Sequence, residues 1–161
     1  MPGNLTLEDL KAAVSRGEID TVLVAGIDMQ GRLMGKRFHA QFFVDGGHEE
    51  THCCNYLMTV DMEMTTVQGY KSTSWETGYG DYVLKPDLRT LRRVPWLPAT
   101  ALVLCDTQDH ATHADVPIAP RSILKRQVER ARAMGFEPMM ATELEFYLFE
   151  NSYENLRDGG Q

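Results

Sequence analysis

The sequence predicts an α+β fold, and three observations carry that prediction. Apolar positions switch between helical and extended spacing in the order helix, sheet, long loop, sheet, helix, strand. The turn-forming stretch Asp28-Met29-Gln30-Gly31 separates two strand-like runs. Pro120 and Gly135 bracket an amphipathic segment as start and stop signals.

In chain order, Thr6 and Asp9 open a helix with Leu7, Leu10 and Val14 at helical spacing, and Gly17 closes it. Thr21 to Ile27 is a predicted strand, and Arg32 to Phe38 is its antiparallel partner across the turn. Residues 61–81 have no period; Met62, Met64, Val67 and Tyr70 are scattered, and Gly69, Gly78 and Gly80 break any long element. A loop of this length in a compact domain is commonly functional. Tyr82-Val83-Leu84 forms a short strand stopped at Lys85-Pro86-Asp87, and Ala101 to Cys105 a buried strand after the Pro95-Trp96-Leu97-Pro98 turn. The helix from Pro120 places Ile123, Leu124, Val128 and Ala131 on one face. Glu137 to Phe149 then has strand character, with nothing after it to pair with.

Composition narrows the function. The 161 residues are 43% hydrophobic and 24% charged, the balance of a soluble globular protein. No apolar run approaches the roughly eighteen residues of a membrane span, and Met1 to Leu5 lacks the basic-then-apolar pattern of a signal peptide. Cys53, Cys54 and Cys105 make no disulfide framework, so a reduced, cytoplasmic setting is expected. A formal charge of −7 argues against nucleic acid as a partner. The basic stretch Arg121, Lys125, Arg126, Arg130 and Arg132 is expected to be a solvated helix face.

The stretch richest in chemistry is Thr142-Glu143-Leu144-Glu145-Phe146-Tyr147-Leu148-Phe149. Residues two apart in a strand share a face, about 7 Å from each other. Glu143 and Glu145 would therefore project together and repel unless cations neutralise them. Oxygen ligands of this kind suit Mg²⁺ or Mn²⁺. An E-x-E on the wet face of a strand is by itself an ordinary solvated pair.

Its neighbours change its weight. Asp28-Met29-Gln30-Gly31-Arg32-Leu33 with Gly35-Lys36-Arg37, Gly80 to Asp87, Pro95-Trp96, Leu104-Cys105-Asp106, Pro120 to Arg126 and Glu143 to Phe149 are each unspecific. In this order and spacing the chain resembles the glutamine synthetase family over nearly its whole length. The resemblance implies an N-terminal β-grasp domain over residues 1–110. Residues 111–161 would then hold the first helix and strand of an incomplete catalytic domain. It implies that Glu143 and Glu145 are ligands of divalent cations, Mg²⁺ or Mn²⁺, on the ATP-phosphate and glutamate sides respectively. ATP would phosphorylate the γ-carboxylate of glutamate, and ammonia or an amine would displace the phosphate.

In that family the β-grasp domain completes a neighbouring subunit's active site in a ring, and an acidic residue there handles ammonium. Asp61, in Thr59-Val60-Asp61-Met62-Glu63-Met64, is the positional match. The Gly and Ser that commonly follow that Asp are absent, and the loop to Asp81 is longer; the other reading of Asp61 is a plain polar loop residue. These departures, with Gly78 to Tyr82 and Thr90 to Trp96, resemble the branch that makes γ-glutamyl amides from larger amines. The remaining ligands, phosphate-binding arginines and nucleotide pocket of the family have no counterpart here, so these residues alone are expected to be inactive. A second reading is a stand-alone β-grasp module that assembles with longer relatives or regulates them. His48, His52, Cys53 and Cys54 match no closed zinc motif, and Met58, Met62 and Met64 are expected to fill gaps.

Overall fold

The computed structural model describes residues 3–159. Helix α1, Leu7–Ser15, starts on a reciprocal cap: Thr6 Oγ1 accepts the Asp9 N–H at 3.1 Å and Asp9 Oδ2 accepts the Thr6 N–H at 3.0 Å. Gly17, at φ 71°, donates its N–H to the Val14 carbonyl and ends the helix in the left-handed conformation that glycine tolerates. The buried side of α1, Leu10 and Ala13, joins Val22, Val24, Ala101 and Val103 in one apolar cluster.

Those valines and Ala101 belong to a mixed sheet. Strand β1, Thr21–Ile27, pairs antiparallel with β2, Leu33–His39, as the turn chemistry predicts. Its other edge runs parallel to β6, Thr100–Asp109. Strand β6 continues antiparallel to β4, Asp81–Pro86, and β4 to β3, Thr51–Cys54, so the order is β2-β1-β6-β4-β3. Short β5, Arg92–Arg93, lies beside β6. At the β1–β2 contact an added Cβ on Gly35 would stand 1.9 Å from the Val24 carbonyl oxygen, so a larger residue there must part the strands.

Helix α2, Ala40–Phe42, runs into a wide turn over Phe43–Gly47 that buries Phe43. Neither this segment nor β3 is legible in the sequence. Thr51-His52-Cys53-Cys54 has little intrinsic strand preference and is extended because β4 offers an edge.

Helix α3, Pro120–Ala133, has the predicted extent, but its apolar face is not buried. Ile123 and Leu124 are exposed, and Ser122 is the residue turned inward. Of its basic residues Arg126, Arg130 and Arg132 are solvated as expected, and the expectation is corrected for Arg121 and Lys125. Arg121 Nε bonds Asp106 at 2.8 Å, its other nitrogen bonds Asp87, and Lys125 Nζ bonds Asp106 at 2.9 Å. Charge pairs rather than apolar contacts dock this helix to the sheet.

The strand expected over Glu137 to Phe149 does not form; this is irregular, exposed chain, with Leu144 85% and Leu148 92% accessible. A strand draws its hydrogen bonds from a neighbour, and no described strand lies alongside. Helix α4, Tyr153–Asp158, follows on a Ser152 cap.

Candidate functional site

Two turns at one end of the sheet are built on the same backbone pattern. In the β1–β2 connection the Asp28 N–H donates to the Arg32 carbonyl at 3.0 Å and the Gly31 N–H to the Asp28 carbonyl at 3.1 Å. Asp28 Oδ1 accepts the N–H groups of Gln30 and Arg32 at 3.0 and 2.8 Å. In the second turn the Asp61 N–H donates to the Thr65 carbonyl at 2.9 Å and the Met64 N–H to the Asp61 carbonyl at 3.2 Å. Asp61 Oδ1 accepts from Glu63 and Thr65 at 3.0 and 2.8 Å. Each turn has a left-handed residue at its fourth position, Gly31 (φ 83°) and Met64 (φ 66°).

The carboxylates differ in surroundings. Asp28 is 1% exposed, and its Oδ2 holds Arg32 Nε at 2.7 Å. Asp61 is partly exposed, and no ion pair reaches it among the described residues. The first turn grips the second through side chains: Gln30 Nε2 donates to the Val60 carbonyl at 2.9 Å, and the Arg32 guanidinium donates to the carbonyls of Asp61 (2.9 Å) and Met62 (2.8 Å). Both grips join residues about thirty positions apart. Neither Gln30 nor Arg32 was marked as a site residue by the sequence, although the D-x-x-x-R spacing of the first turn was visible there.

The rest of the long loop is ordered by Asn55. Its Oδ1 accepts the Thr73 hydroxyl at 2.8 Å and the Gly80 N–H at 3.3 Å, and both Asn55 and Thr73 are buried. Tyr79 stands edge-on between Tyr56 and Trp75, with ring centres at 6.1 and 5.1 Å. The loop is therefore fixed at its base, with exposed Trp75 at the rim.

Glu143 and Glu145 sit on the exposed 137–149 segment, and no hydrogen bond or ion pair joins them to Asp61. Their donor chemistry suits a hard divalent cation. Their number does not: among the described residues no group of three or more His, Cys, Asp or Glu converges on a point. Two exposed carboxylates hold such an ion only with ligands from elsewhere.

The soft-metal candidates disperse. His48 Nδ1 is 3.0 Å from the Phe43 carbonyl, whereas His52 faces His110 and stands 3.7 Å from Glu50. Burial pushes the Cys53 thiol up to about 11 and the Cys105 thiol to about 12, so both stay protonated at neutral pH. At the α3 dock, hydrogen bonding from Arg89, with Arg121 nearby, holds the Asp87 carboxyl below its ordinary range, and Asp106 raises Lys125. An open cleft of about 290 Å³ over β1 and β2, bordered by Trp96 and Leu102, has cationic Lys36 and Arg37 on its wall and no acid. No described helix is long and apolar enough to cross a membrane.

Known proteins match this chain over most of its length. The glutamine synthetase catalytic-domain family matches residues 117–160. A γ-glutamylethanolamide synthetase of Streptomyces coelicolor is 48% identical over 155 residues, covering 96% of this chain and 33% of that enzyme. A glutamate–isopropylamine ligase of a Pseudomonas species is 35% identical, over 89% of this chain and 31% of the ligase. The chain thus spans about a third of the length of the curated relatives it matches. Among solved structures, the GmaS–ADP complex superposes with a TM-score of 0.58 at 22% identity, over 78% of this chain and 26% of that one, a likeness of fold.

Proposed function

The chain belongs to the glutamine synthetase family, and from that premise we propose that it works as the amino-terminal part of a longer ATP-dependent ligase. That ligase would join ammonia or an amine to the γ-carboxylate of glutamate. The observation that carries the reading is the 48% identity to a γ-glutamyl-amide-forming enzyme across nearly every residue of this chain. It favours an amine larger than ammonia.

In this proposal the γ-carboxylate of glutamate takes the terminal phosphoryl group of ATP, releasing ADP. The amine nitrogen then bonds the acyl carbon, phosphate departs, and the amine gives up a proton. Asp61 is the group of this chain suited to the last step. Its Oδ1 is tied to its own turn, which fixes the carboxylate's direction, and the side chain remains partly exposed. A carboxylate so held can attract an ammonium group and accept its proton. Glu143 and Glu145 would hold Mg²⁺ or Mn²⁺ together with ligands outside this chain. Such an ion offsets phosphate charge when bound.

Residues 1–110 are proposed as a β-grasp domain and 111–161 as the start of the catalytic domain, supported by the family match from residue 117. Rings of subunits and a cytoplasmic setting complete the proposal, the latter supported by three unpaired cysteines. The second reading, a β-grasp module acting on longer relatives, draws on one observation: the described core takes in no residue beyond Ala119.

The deciding experiment measures ATP-, glutamate- and amine-dependent phosphate release by residues 1–161 alone and by the longer protein. The proposal expects none from the former and amide formation by the latter, lost on Glu143→Ala or Glu145→Ala with the fold retained by circular dichroism. Product from the isolated chain, or normal turnover in either variant, would overturn it.

A further inference from the structure

The link between the two turns has no role in the chemistry proposed so far. Arg32 spends all three guanidinium nitrogens locally: Nε on buried Asp28, one terminal nitrogen on the Met62 carbonyl, and the other on the Asp61 carbonyl with a longer 3.5 Å approach to Gln30 Oε1. Gln30 adds the bond to the Val60 carbonyl. Three consecutive carbonyls, those of residues 60, 61 and 62, are thereby held from a turn about thirty positions earlier in the chain. The anchor is rigid, because the Asp28 carboxylate is buried and both its oxygens are bonded, one by two N–H groups and the other by the guanidinium. A planar guanidinium can span a carboxylate and two carbonyls at once, whereas an ammonium group is a point charge on a flexible stem.

We infer that Arg32, seated on Asp28 and assisted by Gln30, is a positioning residue that fixes the Asp61 turn for the amine step. This rests on the proposed role of Asp61. The latch orients the carboxylate through the backbone and leaves the reacting atoms to Asp61 itself. Misplacing a catalytic group by about 1 Å can cost on the order of 10²-fold in rate, so a loosened turn should mimic a partial loss of Asp61.

The test has a structural arm on this chain and a kinetic arm on the longer protein. In Arg32→Met, deuterium exchange at the Asp61, Met64 and Val67 amides should rise about tenfold or more, while β6 amides keep their protection. Gln30→Leu, which leaves the buried ion pair intact, should give a smaller rise and stands in should Arg32→Met not fold. Arg32→Lys should restore thermal stability by keeping a cation on Asp28 but should not restore protection of the turn. In the enzyme, Arg32→Lys and Gln30→Leu should lower kcat for ammonium or alkylamine more than for hydroxylamine. On top of Asp61→Asn they should add almost nothing. Unchanged exchange in both variants would overturn the latch. A selective loss for Asp61→Asn with none for the latch variants would overturn the positioning role alone. Equal loss for all nucleophiles in Asp61→Asn would instead bring down the assignment of Asp61, and the inference with it.

Discussion

In the turn at Asp28 the carboxylate is 1% exposed and carries a guanidinium on its second oxygen. In the turn at Asp61 the same four hydrogen bonds recur, yet the carboxylate is partly exposed and unpaired by any cation among the described residues. The left-handed position is Gly31 in the first and Met64 in the second. One backbone solution thus serves as a sealed anchor in one place and as an open presentation in the other. Burial and the partner of the second oxygen decide which. A carboxylate buried with both oxygens bonded inside the fold contributes to stability; one that stays partly exposed and free of a cation can meet a ligand.

The two aspartates should therefore fail in different assays. Asp61→Asn in the longer protein should slow amide formation from ammonium or alkylamines by about 10²–10⁴, or about 3–5 kcal/mol of barrier, with melting nearly unchanged. Hydroxylamine, neutral at pH 7, should suffer less. Rates with three nucleophiles measure this, and a destabilised but fully active variant would erase the contrast. Asp28→Asn should do the reverse, lowering unfolding free energy by about 1.5–3 kcal/mol because a charge-assisted bond inside the fold is lost. Urea unfolding of the chain reads that loss.

The fourth positions offer a finer comparison. Gly31→Ala places a Cβ in a left-handed conformation and should cost about 1–2 kcal/mol by the same unfolding measurement. The Asp87 carboxylate at the α3 dock supplies a third kind, largely covered but pH-sensitive. Its folded pKa is lowered, so its contribution is complete above its unfolded value near 4 and fades as pH falls through the lowered folded value. Lys125 is raised, so its share is complete below about 10.4 and fades as pH climbs through the raised folded value. A plateau at neutral pH with losses of about 0.5–1 kcal/mol at each end is expected after screening; denaturant titrations of wild type against Asp87→Asn should show the acid limb disappear. The smallest effect belongs to Met64→Gly, which relieves the left-handed strain but loosens the unfolded chain, for a net change of a few tenths of a kcal/mol. A large loss there would mean that the Met64 side chain is itself a contact.

Much of the architecture was legible in residue order. The Thr6–Asp9 cap, the hairpin around Asp28 to Gly31 and the Pro120 helix start rest on interactions within a few positions, and all three stand where local chemistry puts them. Family membership was legible for another reason: several short motifs kept their order and spacing. Glu143 and Glu145 were legible only as a pattern. The Leu144, Phe146, Leu148 alternation reads as a strand, but a strand needs a neighbour, and the described fold gives the segment none.

Some features had no local signal. β3 is a strand because β4 has a free edge beside it, not because Thr51-His52-Cys53-Cys54 prefers one. Arg121 and Lys125 of α3 turn to Asp87 and Asp106 because the sheet presents those carboxylates to its inner side. The sequence determined by itself the family, the hairpin, the capped first helix, the Pro120 helix start and the candidacy of Asp61, since each depends on residues near one another or on a spaced pattern. Only the tertiary structure decided that Asp28 is sealed, that Asp61 is open, and that Arg32 joins them. Those outcomes depend on burial and on contacts across about thirty positions of chain, where pairing is set by how the sheet brings the two turns together.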